Sequence, residues 1–571
     1  MRLSKMVFET SKEAASDAKV ISHILLTRAG FIKRVYNGIY TLGMPAQRMS
    51  KKIEAIIRDE MDKLDGQEVK FPVVMPKELW EMSGRYYSIG SEMARWKDRS
   101  EHDMVLGMTH EEAAVQFAMN TVNSYQKLPF MIYQIQTKYR DEPRARGGLI
   151  RVREFTMKDA YSFHMTYEDL EDYYYKQHQA YENIFRRIGM NNFISVKSDS
   201  GMMGGSIAHE FMAITPDGED ELAICPHCDY KANTEVAECE LEHFDDNDLP
   251  AEEVFTGEAK SIEEVSTLLG VPATSTIKAV IYAEKESGKL VAIFIRGDLD
   301  VNESKLRKVV GKEVVPFDST DSDALSFGNI GPQGLQNVPT VVYDRSIEGR
   351  GGMVVGANKA EYHIKNFKVG RDLAVDTFVD VAKVKAGQKC KKCGHELTVV
   401  NGIEIGNIFQ LGTKYTASMG MTVLNQEGKA VTPIMGCYGI GVGRAIASIV
   451  QNSYDKDGMI LPISVAPWTV HICGIRMDID TVNKTAFEIY DELKALNIDT
   501  CIDDRDCSAG VKFADADLWG MPIRLVVSQR AIDRDEFEVV IRKTKEVVKT
   551  SRANLMETIQ NIMRTLQKEL E

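Results

Sequence analysis

Two Cys-x-x-Cys pairs, Cys225/Cys228 and Cys390/Cys393, stand almost symmetrically about a stretch whose character differs from the sequence on either side. This bracketing constrains the fold more than any other feature, because it marks a unit inserted into a chain that resumes afterwards. From about residue 214 to 371 the sequence passes through an acidic run (235–253) into short strand-like runs at 277–282 and 290–295, the pattern of an independent α/β unit. After residue 401 it returns to glycine-rich motifs, and the prolines between 462 and 467 mark a linker. A chain of 571 residues exceeds one hydrophobic core, and roughly 150 residues per domain gives three or four units.

Hydrophobic residues make up 44% and charged residues 27%, ordinary globular values. The N-terminus meets charge before any apolar run develops, and no stretch reaches the ~18 apolar residues that cross a bilayer, so the expectation is a cytoplasmic protein without membrane contact. Nine cysteines without a secretory signal favour reduced thiols or a metal site over a disulfide framework. A net charge of −14 does not advertise nucleic-acid binding, although it averages over the surface and leaves room for a local basic track.

Met49, Ile53, Ile56, Ile57, Met61 and Leu64 predict a helix ended by Gly66, followed by an extended run at 68–76 in which Pro72 restricts pairing. Around Tyr139-Arg140-Asp141-Glu142 an arginine and a carboxylate two apart share one face of a strand. A loop with Arg144, Arg146, Gly147 and Gly148 then leads into Arg151-Val152-Arg153-Glu154-Phe155, which reads as a hairpin with a basic tip. Gly439-Ile440-Gly441-Val442-Gly443-Arg444 runs into a helical pattern at 445–450. Near the end, strands are expected at 470–475, 500–502, 523–527 and 537–541, with a last helix carrying Leu555, Ile559, Ile562, Met563, Leu566 and Leu570 on one face.

In this order the helix–strand with Pro72, the Arg-x-Glu hairpin ending in Phe155 and the glycine turn ending in Arg444 resemble motifs 1, 2 and 3 of class II aminoacyl-tRNA synthetases. Thr109-His110-Glu111-Glu112, Met157-Lys158-Asp159-Ala160-Tyr161-Ser162-Phe163-His164 and Cys437-Tyr438-Gly439-Ile440-Gly441 resemble the bacterial-type prolyl-tRNA synthetases. The resemblance covers nearly the whole chain. It implies a multidomain α+β and α/β protein: an antiparallel-sheet catalytic domain (1–223 and 397–464), an inserted α/β editing domain (224–396) and an α/β anticodon-binding domain (465–571). It also implies ATP with Mg²⁺, proline and tRNA(Pro) as partners, and a homodimer built through motif 1.

The same resemblance assigns roles. Arg140 would hold the α-phosphate and the substrate carboxylate, Glu142 would contact adenine, Phe155 would stack on it, and Arg444 would reach the γ-phosphate, with Arg151, Gln410 and Thr413 also near ATP. Attack of a carboxylate on a phosphate concentrates negative charge, which fixed guanidinium groups and Mg²⁺ offset. Proline has a secondary ammonium with two N–H donors, and Thr109 and Glu111 supply two acceptors; Asp159, His164 and the turn Gly201-Met202-Met203-Gly204-Gly205-Ser206 would be pocket neighbours. Arg144 and Arg146 would meet the tRNA acceptor stem.

In the insertion, Lys278 matches the family's important lysine for removing alanine from mischarged tRNA, with His363 and Asp344 as further editing candidates. Cys225, Cys228, Cys390 and Cys393 would supply four thiolates for structural zinc or form a ribbon that has lost its metal. Arg505, Lys512 and Phe513 are candidate anticodon contacts, with a capped helix start and a core Phe513 as the alternative. Two other functions remain open to the sequence: a class IIa synthetase for threonine or glycine, and a non-catalytic synthetase-like subunit that only binds partners.

Overall fold

Met49, Ile53, Ile57 and Met61 are fully buried along one stripe of helix α1 (Met44–Asp62), which starts with a proline in its first turn, where the missing N–H costs no intrahelical bond. The computed structural model describes residues 1–7, 10–199, 203, 207–241, 247–317 and 325–570. After α1 come strand β1 (Gln67–Glu68), helix α2 (Glu111–Thr121), the long hairpin β2 (Phe130–Tyr139) and β3 (Glu154–His164), helix α3 (Tyr167–Arg187) and strand β4 (Ile207–Ile214). The chain later adds β5 (Thr398–Gly412), β6 (Ile434–Gly441) and helix α4 (Val442–Asn452). The extended run expected at 68–76 splits into β1 and a separate strand, Val74–Pro76, with Pro72 in the break.

The sheet that carries the motifs runs β4-β5-β6-β3-β2, antiparallel throughout, with β1 parallel to β2 at its edge. Strand alternation gives it two chemically distinct faces. Ala160, Ile408, Tyr438 and Ile440 join the core with α1, α3 and α4, while Tyr161, Phe163, Phe409, Met435 and Cys437 join a second cluster with α2. We call these the back and the front.

The chain divides into two compact units, one of Met1–Ser195, Ser200–Glu219 and Asn401–Glu571, the other of Val196–Asp199 and Asp220–Val400. The second unit holds a four-stranded sheet ordered Val314–Pro316, Ile277–Glu284, Leu290–Arg296, Thr340–Tyr343, and a three-stranded sheet ordered Glu252–Phe255, Tyr362–Phe367, Met353–Gly356. Helix Ile262–Leu269 begins with a reciprocal capping box between Ser261 and Glu264 and ends at Gly270, at φ +65°. The acidic run at 235–253 lies within the described residues except for 242–246.

The end of the chain forms a five-stranded sheet ordered Thr500–Asp503, Val470–Gly474, Ile523–Val527, Phe537–Ile541, Val547–Thr550, parallel across the first three strands and antiparallel in the rest. The last strand is short and half-exposed, so it lacks the apolar run that announces the others. Within this sheet His471 is buried with neither ring nitrogen hydrogen-bonded among the described residues, and burial pushes its pKa down to about 4. The buried His110 is likewise pushed down to about 4, by burial and then by Lys138. A histidine depressed below its unfolded value stabilises the fold fully above pH 6.5, and this contribution is lost as the pH falls toward 4. We expect the melting temperature to drop across that window and the drop to be shallower in His471→Leu, as read by differential scanning fluorimetry; an equal slope would remove His471 from the explanation.

Candidate active site

The front face is organised around one buried carboxylate. Glu111, the first residue of α2, is fully buried and accepts from Thr109 Oγ1 at 2.6 Å, from Arg85 Nη1 at 3.0 Å and from the Cys437 thiol at 3.3 Å. Burial and the neighbouring carboxylate push the Cys437 pKa well up, so it remains a thiol and donates. Arg85 also reaches Glu112 at 3.2 Å and lies over the rings of Trp80 and Tyr415. Its burial opposes the charge, but Glu112 and Glu111 hold its pKa above the ordinary value. A carboxylate has about four lone-pair sites, so three donors fix Glu111 in place and leave one site for a ligand.

Asp159, on the front face of β3, is ion-paired with Lys138 Nζ at 2.7 Å and accepts from Tyr161 Oη at 2.7 Å and Gln134 Nε2 at 3.0 Å. Tyr161 Oη in turn accepts from the His110 backbone N–H at 3.0 Å. Asp159 therefore braces the loop that carries Thr109 and Glu111. The depressed pKa makes His110 neutral: Nδ1 faces Lys138 Nζ at 2.8 Å, and Nε2–H donates to the Pro72 carbonyl at 3.0 Å.

Next to this pocket lie the guanidinium groups of Arg140 and Arg444. Arg140 Nε donates to the Met108 carbonyl at 3.3 Å, and its guanidinium lies 5.4 Å from the centre of the Phe155 ring. Burial lowers the Arg140 pKa, Glu404 opposes that shift and Arg444 adds to it, which places all three charges in one neighbourhood. Arg444, in the first turn of α4, donates to the Ile150 carbonyl at 2.9 Å and to Glu404 Oε2 at 2.8 Å. Glu142 pairs with Arg151 at 2.9 Å. The hairpin turns through Gly147 and Gly148, at φ +70° and +64°, leaving Arg144 and Arg146 exposed near its tip, with Arg146 paired to Glu219.

Two of the anticipated pocket residues turn the other way. His164 lies on the back of β3, between Ser162 Oγ at 2.8 Å and Asp169 at 2.9 Å, and is fully buried. Gln410 alternates with the front residues Phe409 and Leu411 and pairs with Gly436, so it too belongs to the back. Thr413 sits at the N-cap of the short helix Lys414–Ser418. The turn at 201–206 lies outside the described residues except for Met203, whose carbonyl accepts from Lys414 Nζ and Tyr415 Oη.

The sequence reading missed Glu404, Asn407 and Arg85. Glu404 and Asn407 share the front of β5, where Asn407 Nδ2 donates to Glu404 Oε1 at 2.9 Å and its own Oδ1 is buried without a partner among the described residues. A carboxylate beside an orphaned amide oxygen is a donor set suited to Mg²⁺, a hard cation. The signal was present as a charged and a polar residue inside the apolar run Ile403-Glu404-Ile405-Gly406-Asn407-Ile408. Arg85 left no local signal, because its partners lie 26 and 27 residues away.

In the second unit, Lys278 and His363 line one cavity of about 260 Å³ together with Lys260, Thr276, Phe327 and Gly356. Lys278 Nζ is 3.3 Å from Asp300, and His363 Nδ1 is 2.7 Å from Thr256 Oγ1. Asp344 does not share this cavity: it is fully buried and accepts from the backbone N–H groups of Ser346 and Val381, each at 2.8 Å. All nine cysteines are free, and the Sγ atoms of Cys225, Cys228, Cys390 and Cys393 all lie within 4.8 Å of one another.

In the C-terminal sheet domain Ser508 caps helix Ala509–Trp519. Lys512 is buried and donates to the carbonyls of Gly474 and Asp503 at 2.7 and 3.1 Å, so its ammonium braces strand ends and does not face solvent. Arg505 spans Asp503 and Asp515, each at 2.7 Å, and Phe513 is half-buried with Arg524 over its ring.

Residues 94–453 match the family described as tRNA synthetase class II core domain (G, H, P, S and T), and residues 463–562 match the anticodon binding domain. A proline–tRNA ligase from Thermoanaerobacter pseudethanolicus is 40% identical over 571 residues, covering 99% of this chain and 100% of that one. Another, from Caldicellulosiruptor bescii, is 42% identical over 569 residues, covering 99% of each. Prolyl-tRNA synthetase from Cryptosporidium parvum, solved with L-proline and AMP, has a TM-score of 0.58 and 14% identity, covering 96% of this chain and 78% of that one, a likeness of fold.

Proposed function

Since this chain belongs to the proline–tRNA ligases, within the class II synthetases, we propose that it ligates proline to tRNA(Pro) through a prolyl-adenylate and hydrolyses Ala-tRNA(Pro) in its inserted unit. The observation that carries the ligase reading is the front face of the sheet, where an acceptor-rich pocket at Glu111 adjoins the cations Arg140 and Arg444. The proline ammonium would donate one N–H to the open site on Glu111 and the other to Thr109 Oγ1, which uses its own proton on Glu111 and keeps its lone pairs.

Arg140 would then hold the proline carboxylate against the α-phosphorus. A carboxylate oxygen forms the new bond to phosphorus, the bond to the bridging oxygen breaks, and pyrophosphate leaves with the electron pair. As the two anions meet, negative charge builds on the α-phosphoryl oxygens and the departing pyrophosphate, and two guanidinium groups already fixed by Met108, Ile150 and Glu404 would stabilise it without reorganising. Mg²⁺, held by Glu404 and Asn407, would supply further positive charge at the phosphates. Glu142, steadied by Arg151, and Phe155 would receive the adenine. A terminal ribose hydroxyl of tRNA next attacks the activated carbonyl carbon, its proton passes to the departing phosphate, and AMP leaves as the carbonyl–phosphate bond breaks.

Arg144 and Arg146 at the hairpin tip would bind the acceptor stem. A charge-assisted contact to phosphate is worth about 1.5–3 kcal/mol, so Arg144→Ala should lower aminoacylation about tenfold and leave ATP–pyrophosphate exchange unchanged. Equal losses in both assays would remove the tRNA role.

The editing reading rests on size. A pocket that admits proline cannot exclude the smaller alanine, because one methylene discriminates by only about 1–3 kcal/mol, so a second, hydrolytic site is needed. Lys278 and His363, facing one cavity, support that assignment; Asp344 serves its own turn. We divide the chain into a catalytic domain (1–223 and 397–464), the editing insertion (224–396) and an anticodon-binding domain (465–571) in which Arg505 and Phe513 would meet bases. Zinc would occupy the four thiols, motif 1 would join two copies, and the enzyme would work in the cytoplasm. No helix among the described residues is long and apolar enough to cross a membrane.

The test is amino-acid-dependent ATP–pyrophosphate exchange across all twenty amino acids without tRNA. Strong exchange with proline and a weaker signal with alanine are expected. Preference for threonine or glycine would overturn the substrate, and no exchange in folded protein would favour a non-catalytic subunit.

A further inference from the structure

The chain enters its second unit at Asp220 and leaves it at Val400, and the four cysteines stand just inside both passages. Cys225 Sγ lies 3.4 Å from Cys393 Sγ and Cys228 Sγ lies 3.7 Å from Cys390 Sγ, across sequence separations of 168 and 162 residues. Zinc with four sulfurs at about 2.3 Å has sulfur–sulfur edges of about 3.8 Å, close to these spacings.

In the second half the backbone N–H of Lys392 donates to Cys390 Sγ at 3.4 Å, which helps orient that sulfur. The second half closes through Gly394 at φ +74°, a turn that a side chain would strain.

The sulfurs make up much of the core around them. Its buried members are Ala223, Ala232, Ala237, Val384, Leu397 and the cysteines 225, 239 and 390, with Tyr230, Val236 and Leu241 partly buried against them. The backbone joins the two passages at two places: strand Asp220–Ile224 lies beside β5 in its sheet, and Cys239–Glu240 pairs with Lys389–Cys390 in a two-residue ladder. A metal bound by sulfurs from both passages closes the same loop of more than 160 residues a third time, beyond the end of strand Asp220–Ile224.

We infer that zinc at Cys225, Cys228, Cys390 and Cys393 is a clamp on which the order of the base of the inserted unit depends, a conclusion that rests on the zinc reading above. The base is ordered with metal bound and opens when the metal leaves, while the sheet of β2 to β6 keeps its own core.

The experiment uses the full chain, purified in reducing buffer without added metal. Metal content is measured by inductively coupled plasma mass spectrometry. Hydrogen exchange of peptides spanning 223–241 and 384–397 is then followed before and after removal of metal by a chelator, and again after zinc is returned. About one zinc per chain is expected, with exchange in those peptides rising more than tenfold on removal, recovering with zinc, and little change in peptides from β2 and β3. Protein that holds no zinc and takes none up overturns the zinc reading and the clamp together. Zinc present in full amount with exchange unchanged on removal overturns the clamp alone.

Discussion

Arg140→Ala should lower kcat/KM for proline-dependent ATP–pyrophosphate exchange by roughly a thousandfold, about 4 kcal/mol, the scale seen when one preorganised donor to a developing charge is removed. The loss should fall mainly on kcat, because charge at the α-phosphorus is greatest between the two anions. Among the described residues Arg140 makes one hydrogen bond, to a carbonyl, and lies near the Phe155 ring, so its removal leaves little else there unpaired. Arg140→Lys should recover only part of the rate, since an ammonium restores charge but not the planar two-pronged geometry. Steady-state kinetics of the three forms, with melting curves as a folding control, decide the matter; a loss confined to KM would reduce Arg140 to a binding group.

Lys278→Ala should abolish Ala-tRNA(Pro) deacylation, a fall of about a hundredfold or more if its ammonium holds the terminal phosphate or backbone. Proline-dependent exchange should be unaffected, because the variant lies in a unit with its own sheets and core. Lys278 is three-quarters buried and its charge is shared with Asp300. Alanine there removes a cation at the mouth of the cavity without creating a buried unpaired acid, since Asp300 is exposed and keeps Lys385 at 2.8 Å. Deacylation of preformed Ala-tRNA(Pro) is the direct readout, and retained hydrolysis would move the editing chemistry elsewhere.

Much of this was legible where apolar spacing was long and regular. The stripe of α1, the hairpin of β2 and β3 and four strands of the C-terminal sheet all follow from period 3.6 or 2 with turn residues between them. Strand β3 was the exception in extent: the sequence suggests a strand-like segment at 151–155, whereas the strand runs Glu154–His164, through Lys158 and Asp159, whose charges find partners only in the assembled sheet. Gln410 and His164 show the other limit. A motif names neighbours in sequence, whereas alternation in an extended strand sends adjacent residues to opposite faces, and which face meets the substrate is settled only by strands far away in the chain. Glu111 and Arg85 make the point for helices and loops, because the pair exists only after α2 folds back on the short turn at Gly84.

The two faces of β3 bear on how such a chain can vary over time. Asp159 holds the loop of Thr109 and Glu111 from one side, while its neighbour Lys158 is buried on the other, donating to Tyr181 Oη at 2.8 Å and the Tyr438 carbonyl at 3.1 Å. Adding or deleting a single residue within 154–164 would exchange the two, turning an ammonium toward the substrate pocket and a carboxylate into a bed of aromatic rings. Homologous chains should therefore tolerate substitutions along this strand far better than changes in its length, and record their insertions beyond it, at the hairpin tip around Arg144, where the backbone meets solvent and no register is kept.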